Sequence, residues 1–264
     1  MIMLLSCSVS KNRTEKSNLL ILGTLHSGGK KINSNSIYEV LVNFKPDIIL
    51  LEVESDLFER ENILKSSFDG SDNNEFLAVL RYQKDHPNVQ LKPAELENKN
   101  VFRKNLGIYS EAGFVFNKIQ ELDSLNKLND KEKSILLKLN RYDNLVNKIA
   151  NEDLRVMNSQ YSDNTVDSLM HYQYHEIKKI VNNHSDFEKY RLISSKKDTI
   201  SFKDYFNNWA DFEGILRNEG IANNVIKYHQ SNPTKRIILL TGFKHRFFVR
   251  KYLLKNNIKT IEFK

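Results

Sequence analysis

The chain has 264 residues, 40% of them hydrophobic, which suffices for one large core or two small ones. Its 40 Lys and Arg against 33 Asp and Glu leave a formal charge of +7, but the bases are dispersed among acids and asparagines, so we expect a mixed solvated surface and no nucleic-acid partner. No stretch approaches the roughly 20 apolar residues of a membrane-crossing helix, and the single cysteine, Cys7, excludes an internal disulfide and a Cys-rich metal cluster.

Cys7 stands in Leu4-Leu5-Ser6-Cys7-Ser8, followed by a polar run from Val9 to Asn18. Leu-x-small-Cys is the lipobox-like pattern of bacterial lipoproteins, which makes residues 1–18 a tether or the remnant of a lipoprotein signal. Met1 to Leu5 is shorter than the apolar region of a signal and has no basic residue before it. The expectation is a lipid anchor to a membrane through Cys7 and a place in the cell envelope. The alternative is an unstructured N-terminus on a cytoplasmic protein.

Leu19-Leu20-Ile21-Leu22, stopped by Gly23, has the continuous apolar character of a buried parallel strand. After a polar turn, Ser34 is a candidate cap for a helix carrying Ile37, Val40, Leu41 and Phe44, closed by Pro46. Asp47 to Glu52 gives a second buried strand, so the ends of the two strands lie at one edge. Helical stretches follow at about Asp56 to Leu64 and Asn74 to Asp85, then a short third strand over Pro87 to Pro93, nearer a sheet edge. From about Asn105 to Asn183, within an insertion of about 105–200, the pattern is charged and helical, with Ile119, Leu122 and Leu125, then Ile135, Leu136 and Leu139, at three- and four-residue spacing. This predicts a helical insertion capping the sheet. The α/β pattern resumes with a helix over Asp211 to Gln230, a strand over Arg236 to Leu240, a helix over His245 to Asn256 and a last strand over Lys259 to Phe263. The fold expected is thus α/β, a mainly parallel central sheet flanked by helices, with residues 19–264 as one domain.

Two turns repeat one pattern: Gly23-Thr24-Leu25-His26 and Gly242-Phe243-Lys244-His245. Open parallel sheets bind ligands beyond the carboxyl ends of their strands, where both turns fall. Gly23 and Gly242 would let the backbone turn tightly or take positive φ, placing His26 and His245 at the loop crests. Glu52 ends an apolar run and, as a buried carboxylate, needs a cation: a metal shared with His26 and His245, or a guanidinium. Arg217 lies one turn before Ile221 and Val225 on the face expected to meet the sheet, so it points inward. Glu54, Glu95 and Glu97, at or beyond strand ends, are supporting candidates. His171 and His175 have the i, i+4 spacing of a zinc helix but not the His-Glu-x-x-His order, and a solvent or packing role is expected.

Gly23 to His26, the Pro46 to Glu52 strand, Arg217-Asn218 to Ala222 and Gly242 to His245 resemble, in order and spacing, the TIKI/TraB superfamily. That group also takes in ChaN-like haem-binding lipoproteins and, more distantly, erythromycin esterases. The resemblance covers roughly the first hundred and last sixty residues. It implies an α/β core with a helical insertion, a site built from His26, Glu52, Arg217 and His245 and, in the TIKI branch, metal-dependent peptide hydrolysis. The chain departs from erythromycin esterases, which have a glutamate at the position of Gly23. It departs also from related bacterial proteins at Lys99, where an arginine is often found.

The leading expectation is a hydrolase of a peptide or ester bond in which His26, Glu52 and His245 hold a divalent metal (Zn, Mn or Co) or a water directly, and Arg217 steadies the oxyanion or Glu52. The substrate is a peptide or small molecule. The rival is a haem- or iron-binding envelope lipoprotein without catalysis, with Tyr109, Tyr172 and Tyr174 as candidate ligands. The oligomeric state is left open.

Overall fold

The computed structural model describes residues 17–27, 29, 31–60, 62–65 and 73–264; Cys7 and its expected lipid anchor lie outside the described residues. The centre is a four-stranded parallel sheet of order β1 (Leu19–Thr24), β8 (Ile237–Gly242), β2 (Ile48–Leu51) and β5 (Gln90–Pro93). Strand alternation sends Leu19, Ile21, Ile48, Leu50, Ile237 and Leu239 to one face, where Ile221, Ala222, Val225, Val249 and Leu253 cover them. Leu20, Leu22, Ile49, Leu51, Ile238 and Leu240 face a larger core on the other side. Because helices cover both faces, β1, β2 and β8 are continuous apolar runs, which is why they stood out in the sequence, whereas β5 at the edge carries Gln90 and Lys92.

Helix α1 (Ser34–Phe44) starts at Asn33, not Ser34, in a reciprocal cap with Ser36. Then follow α2 (Asn74–Asp85), α3 (Lys99–Leu106), α4 (Gly113–Ser124), α5 (Asp130–Ile149), α6 (Leu154–Met157), α7 (Gln160–Met170), α8 (Ile177–Asn183) and α9 (Asp186–Lys189). A π-helical turn, His171–Glu176, joins α7 to α8. Helix α10 (Phe202–Asp211) likewise passes through a π-turn, Phe212–Leu216, into α11 (Arg217–Ser231), and α12 (Phe243–Lys255) closes the chain's regular structure. Among the described residues no helix is long and apolar enough to cross a membrane.

Four expectations need correcting. Asp56 to Leu64 is not a helix: a 3-10 turn at Ser55–Leu57 leads into a hairpin of β3 (Phe58–Arg60) and β4 (Ile63–Leu64), where Asn62 takes φ 68°, incompatible with a helix. The helix expected from Asp211 begins earlier, at Phe202. Among the described residues, Lys259 to Phe263 makes a single bridge, Ile261 beside Leu20. The region expected to be all helical contains a second hairpin, β6 (Arg191–Ile193) with β7 (Thr199–Ser201).

The outer edge of β1 is closed without a full strand. The Ile261 N–H donates to the Leu19 carbonyl at 2.7 Å, Arg246 Nε to that of Ile21 at 3.2 Å, and Asn158 Nδ2 to that of Gly23 at 2.9 Å. Asn158 Oδ1 also accepts from the Gly23 N–H at 2.7 Å, so this buried side chain stands in for a peptide unit. Arg246, itself buried, pairs with Asp163 of α7, which binds Arg250 at 2.6 Å as well.

Candidate functional site

Parallel strands put their carboxyl ends together, and the register aligns Thr24 with Gly242 and Leu51 with both Leu240 and Pro93. His26 lies two residues beyond β1, Glu52 directly after β2, Glu95 two beyond β5, and His245 in the first turn of α12. Gly242 is where three of them meet. A Cβ built there would lie 3.4 Å from His26 Nε2, 3.5 Å from His245 Cδ2 and 3.8 Å from Glu52 Oε2. Its φ of −53° is ordinary, so the glycine serves to leave space between functional groups and not to permit a left-handed turn.

Gly23 has a different reason, also not positive φ. A Cβ there would come within 2.8 Å of the Phe243 Cα, so the bare backbone lets β1 pack against the start of α12 and brings the two histidine turns together.

His26 is held by a residue not anticipated from the sequence. Its carbonyl accepts from the Asn74 N–H at 3.0 Å, docking the turn on the N-terminus of α2. Glu75, in the first turn of that helix, then places Oε2 3.0 Å from His26 Nδ1, while the Thr24 hydroxyl bonds Oε1. Glu75 is buried and His26 half-exposed, so the imidazole is anchored at Nδ1 and presents Nε2 to the space beside Gly242. The hydrogen bond from Glu75 outweighs partial burial and raises the His26 pKa to about 9. Burial pushes the Glu75 carboxyl up, against the pull of His26.

His245 is the opposite case. Asn218 Nδ2 donates to the carbonyls of Glu213 (3.0 Å) and Gly214 (3.3 Å) in the π-turn, so its Oδ1 faces His245 Nδ1 at 2.7 Å. Nδ1 therefore carries the proton, and Nε2 is a lone pair 3.4 Å from Arg217 Nη1. Burial lowers the His245 pKa, in keeping with a neutral ring.

Arg217 joins the remaining parts. Its Nη2 donates to Glu52 Oε1 at 2.7 Å and to Glu95 Oε2 at 2.6 Å, Nε adds 3.1 Å to Glu95 Oε1, and Nη1 lies 3.5 Å from Glu213 Oε2. Glu52 Oε2 accepts from the Thr241 hydroxyl (2.6 Å) and the Gly242 N–H (2.8 Å). Burial alone would raise Glu52, but the Arg217 guanidinium and the Thr241 hydroxyl hold it well below the usual carboxylate range. Burial also opposes Glu95, which Arg217 and Lys99 keep below the usual carboxylate range; Lys99 Nζ is 2.8 Å from it.

One supporting candidate stands apart. Glu97 is exposed and binds the Ser55 N–H (2.9 Å) and hydroxyl (3.0 Å), steadying the turn before β3. Glu54 lies past the end of β2, where strand alternation no longer fixes its direction. The three tyrosines do not converge. Tyr109 is exposed and bonds the Ile193 carbonyl, Tyr172 stacks on Tyr142, and Tyr174 packs over Gly214 and Trp209. His171 and His175 are exposed in the π-turn, and Glu176 is 3.5 Å from His171.

As to a metal, Glu52 has both oxygens engaged, and the His245 lone pair faces a guanidinium. Among the described residues no group of three or more His, Cys, Asp or Glu is arranged to hold an ion. Arg217 supplies the positive charge that Glu52 requires, at the place where the TIKI resemblance implied a divalent metal.

No protein-family model matches the chain, and no curated protein matches it. Among solved structures, an erythromycin esterase EreC mutant in its open conformation matches with a TM-score of 0.32 and 13% identity, covering 86% of this chain and 60% of that one. The chain thus spans about three-fifths of the length of that enzyme chain, a distant and partial likeness from which neither residues nor activity are transferred.

Proposed function

We propose that the chain is a hydrolase of an ester or peptide bond, with His26 as its acid–base group and no metal in the step. The observation that carries this is the His26–Glu75 pair, which holds one ring nitrogen and leaves the other, Nε2, beside Glu52 and His245. In the reaction His26 Nε2 takes a proton from water, the water oxygen bonds to the acyl carbon, and the carbonyl electron pair moves to oxygen. Collapse of that intermediate breaks the bond to the leaving group, which receives the proton from His26. The first turn of α12 supplies positive potential for the oxyanion, and Arg217 holds Glu52 in place. The order of the four TIKI/TraB-like segments supports hydrolysis, while the arrangement of Arg217, Glu52 and His245 favours its metal-free form. Carboxylates flanking the site disfavour an anionic substrate.

Hydrolysis of a panel of p-nitrophenyl esters and short peptides by wild type and His26→Ala tests this. Turnover that falls by about 10²–10⁴ in the variant is expected, the usual worth of a general acid–base group. Equal rates in a folded variant, or no turnover across the panel, would sink the proposal. A Soret band in freshly purified protein would instead favour haem carriage.

A further inference from the structure

Apart from the site at Gly242, a cavity of about 420 Å³ opens among α4, α5, α7 and α10, and none of the residues around Gly242 lines it. Its volume is in the range of small-molecule sites. The floor is apolar, formed by Phe116, Leu136, Leu139, Leu169 and Trp209. Trp209 stands edge-on to Phe116, with centroids 6.1 Å apart, and its indole N–H already donates to the Ser110 carbonyl at 3.0 Å, so it offers the cavity ring surface and not a donor.

The rim is acidic. Glu111 and Asp143 line it, both exposed, and among its described lining residues there is no Lys, Arg or His. This contrasts with the chain as a whole, which carries a formal charge of +7. Aromatic faces attract cations, and carboxylates at the rim add to that attraction. At Gly113, also on the rim, a Cβ would meet nothing within 4 Å, so the entrance is wide there.

From this lining we infer that the helical region holds a second site, for a small amphipathic cation: an aromatic or alkyl body on Phe116 and Trp209, with an ammonium group near Glu111 and Asp143. The inference does not rest on the hydrolase reading.

Trp209 is the chain's one tryptophan, so its emission reports this cavity directly. The test titrates 4-phenylbutylamine into wild-type protein, with 4-phenylbutanol and 4-phenylbutyrate as neutral and anionic analogues of like shape. We expect a saturable emission change with the amine, at least about tenfold tighter than with the carboxylate. Gly113→Leu should weaken it by filling the entrance, and a Glu111→Gln/Asp143→Asn double variant should remove the preference for the amine; both sites are exposed, and thermal melts establish that the variants fold. The inference is overturned if wild type shows no saturable change, if the carboxylate binds as tightly as the amine, or if folded Gly113→Leu binds unchanged.

Discussion

Glu75 Oε2 lies 3.0 Å from His26 Nδ1, and this contact turns a half-exposed strand-end histidine into a fixed group with one nitrogen free to act. A ring raised to about 9 is protonated at neutral pH, so as a base it should give a rate that climbs with pH until about 9. Glu75→Gln removes the anion responsible. The expected outcome is an NMR-titrated His26 pKa that moves down toward 6.5, and a rate limb that moves with it. A His26 pKa unchanged in the variant would show that Glu75 is not the cause.

His26 and Glu52 set opposite limits on stability. His26 is raised in the folded state, so its contribution is fully present below about 6.5 and is lost as pH rises through about 9. Glu52 is lowered to about 2, so its contribution is present above about 4.5 and is lost as pH falls through about 2. Chemical denaturation across pH should show an alkaline loss absent from His26→Ala and an acid loss reduced in Glu52→Gln.

Arg217→Met should cost about 3–5 kcal/mol, because it strands the buried carboxylate of Glu52 without its guanidinium and leaves Glu95 with Lys99 alone. Arg217→Lys should recover little of this, since an ammonium cannot span Glu52, Glu95 and His245 as the guanidinium fork does. Urea titration of both variants checks the order.

The two turn glycines should separate fold from function. Gly242→Ala meets no atom closer than 3.4 Å, so the melting temperature should hold while hydrolysis is lost, the methyl group occupying the space shared by His26, His245 and Glu52. Gly23→Ala presses on the Phe243 backbone at 2.8 Å and should destabilise by about 1–3 kcal/mol. A stable, active Gly242→Ala would remove the site from its place at this glycine.

Dialysis against a chelator should leave both hydrolysis and thermal stability unchanged, since Arg217 and not an ion neutralises Glu52. Elemental analysis finding stoichiometric Zn, Mn or Co, together with loss of rate after chelation, would contradict this.

The sheet was legible because strands covered on both faces are apolar without interruption, and each strand end bears a mark: Gly23, Glu52 or Gly242. Arg217 was legible through its four-residue spacing to Ile221 and Val225, which pack on the sheet. Glu75 was not, because its role depends on α2 docking against the turn at His26, a contact across 49 positions with no periodicity to signal it. Asn218 adjoins Arg217, yet its orientation comes from bonds to carbonyls of a π-turn, a widening of the helix that leaves no apolar pattern. Glu54 and Glu97 lie three and four residues beyond the ends of β2 and β5, at Leu51 and Pro93, so nearness to a strand end does not by itself fix where their side chains point.

At the margin of the sheet, the carbonyls of Leu19, Ile21 and Gly23 meet in turn the Ile261 backbone, the Arg246 guanidinium and the Asn158 amide. An outer strand with a bare row of such groups is a template on which another chain can add by hydrogen bonding. Here alternate positions are taken by three unlike donors from distant parts of the chain, so a second molecule finds no continuous ladder to extend. Concentrated protein is thereby guarded against fibre-like growth through β1, and an Asn158→Ala variant gives up that guard at the end nearest His26.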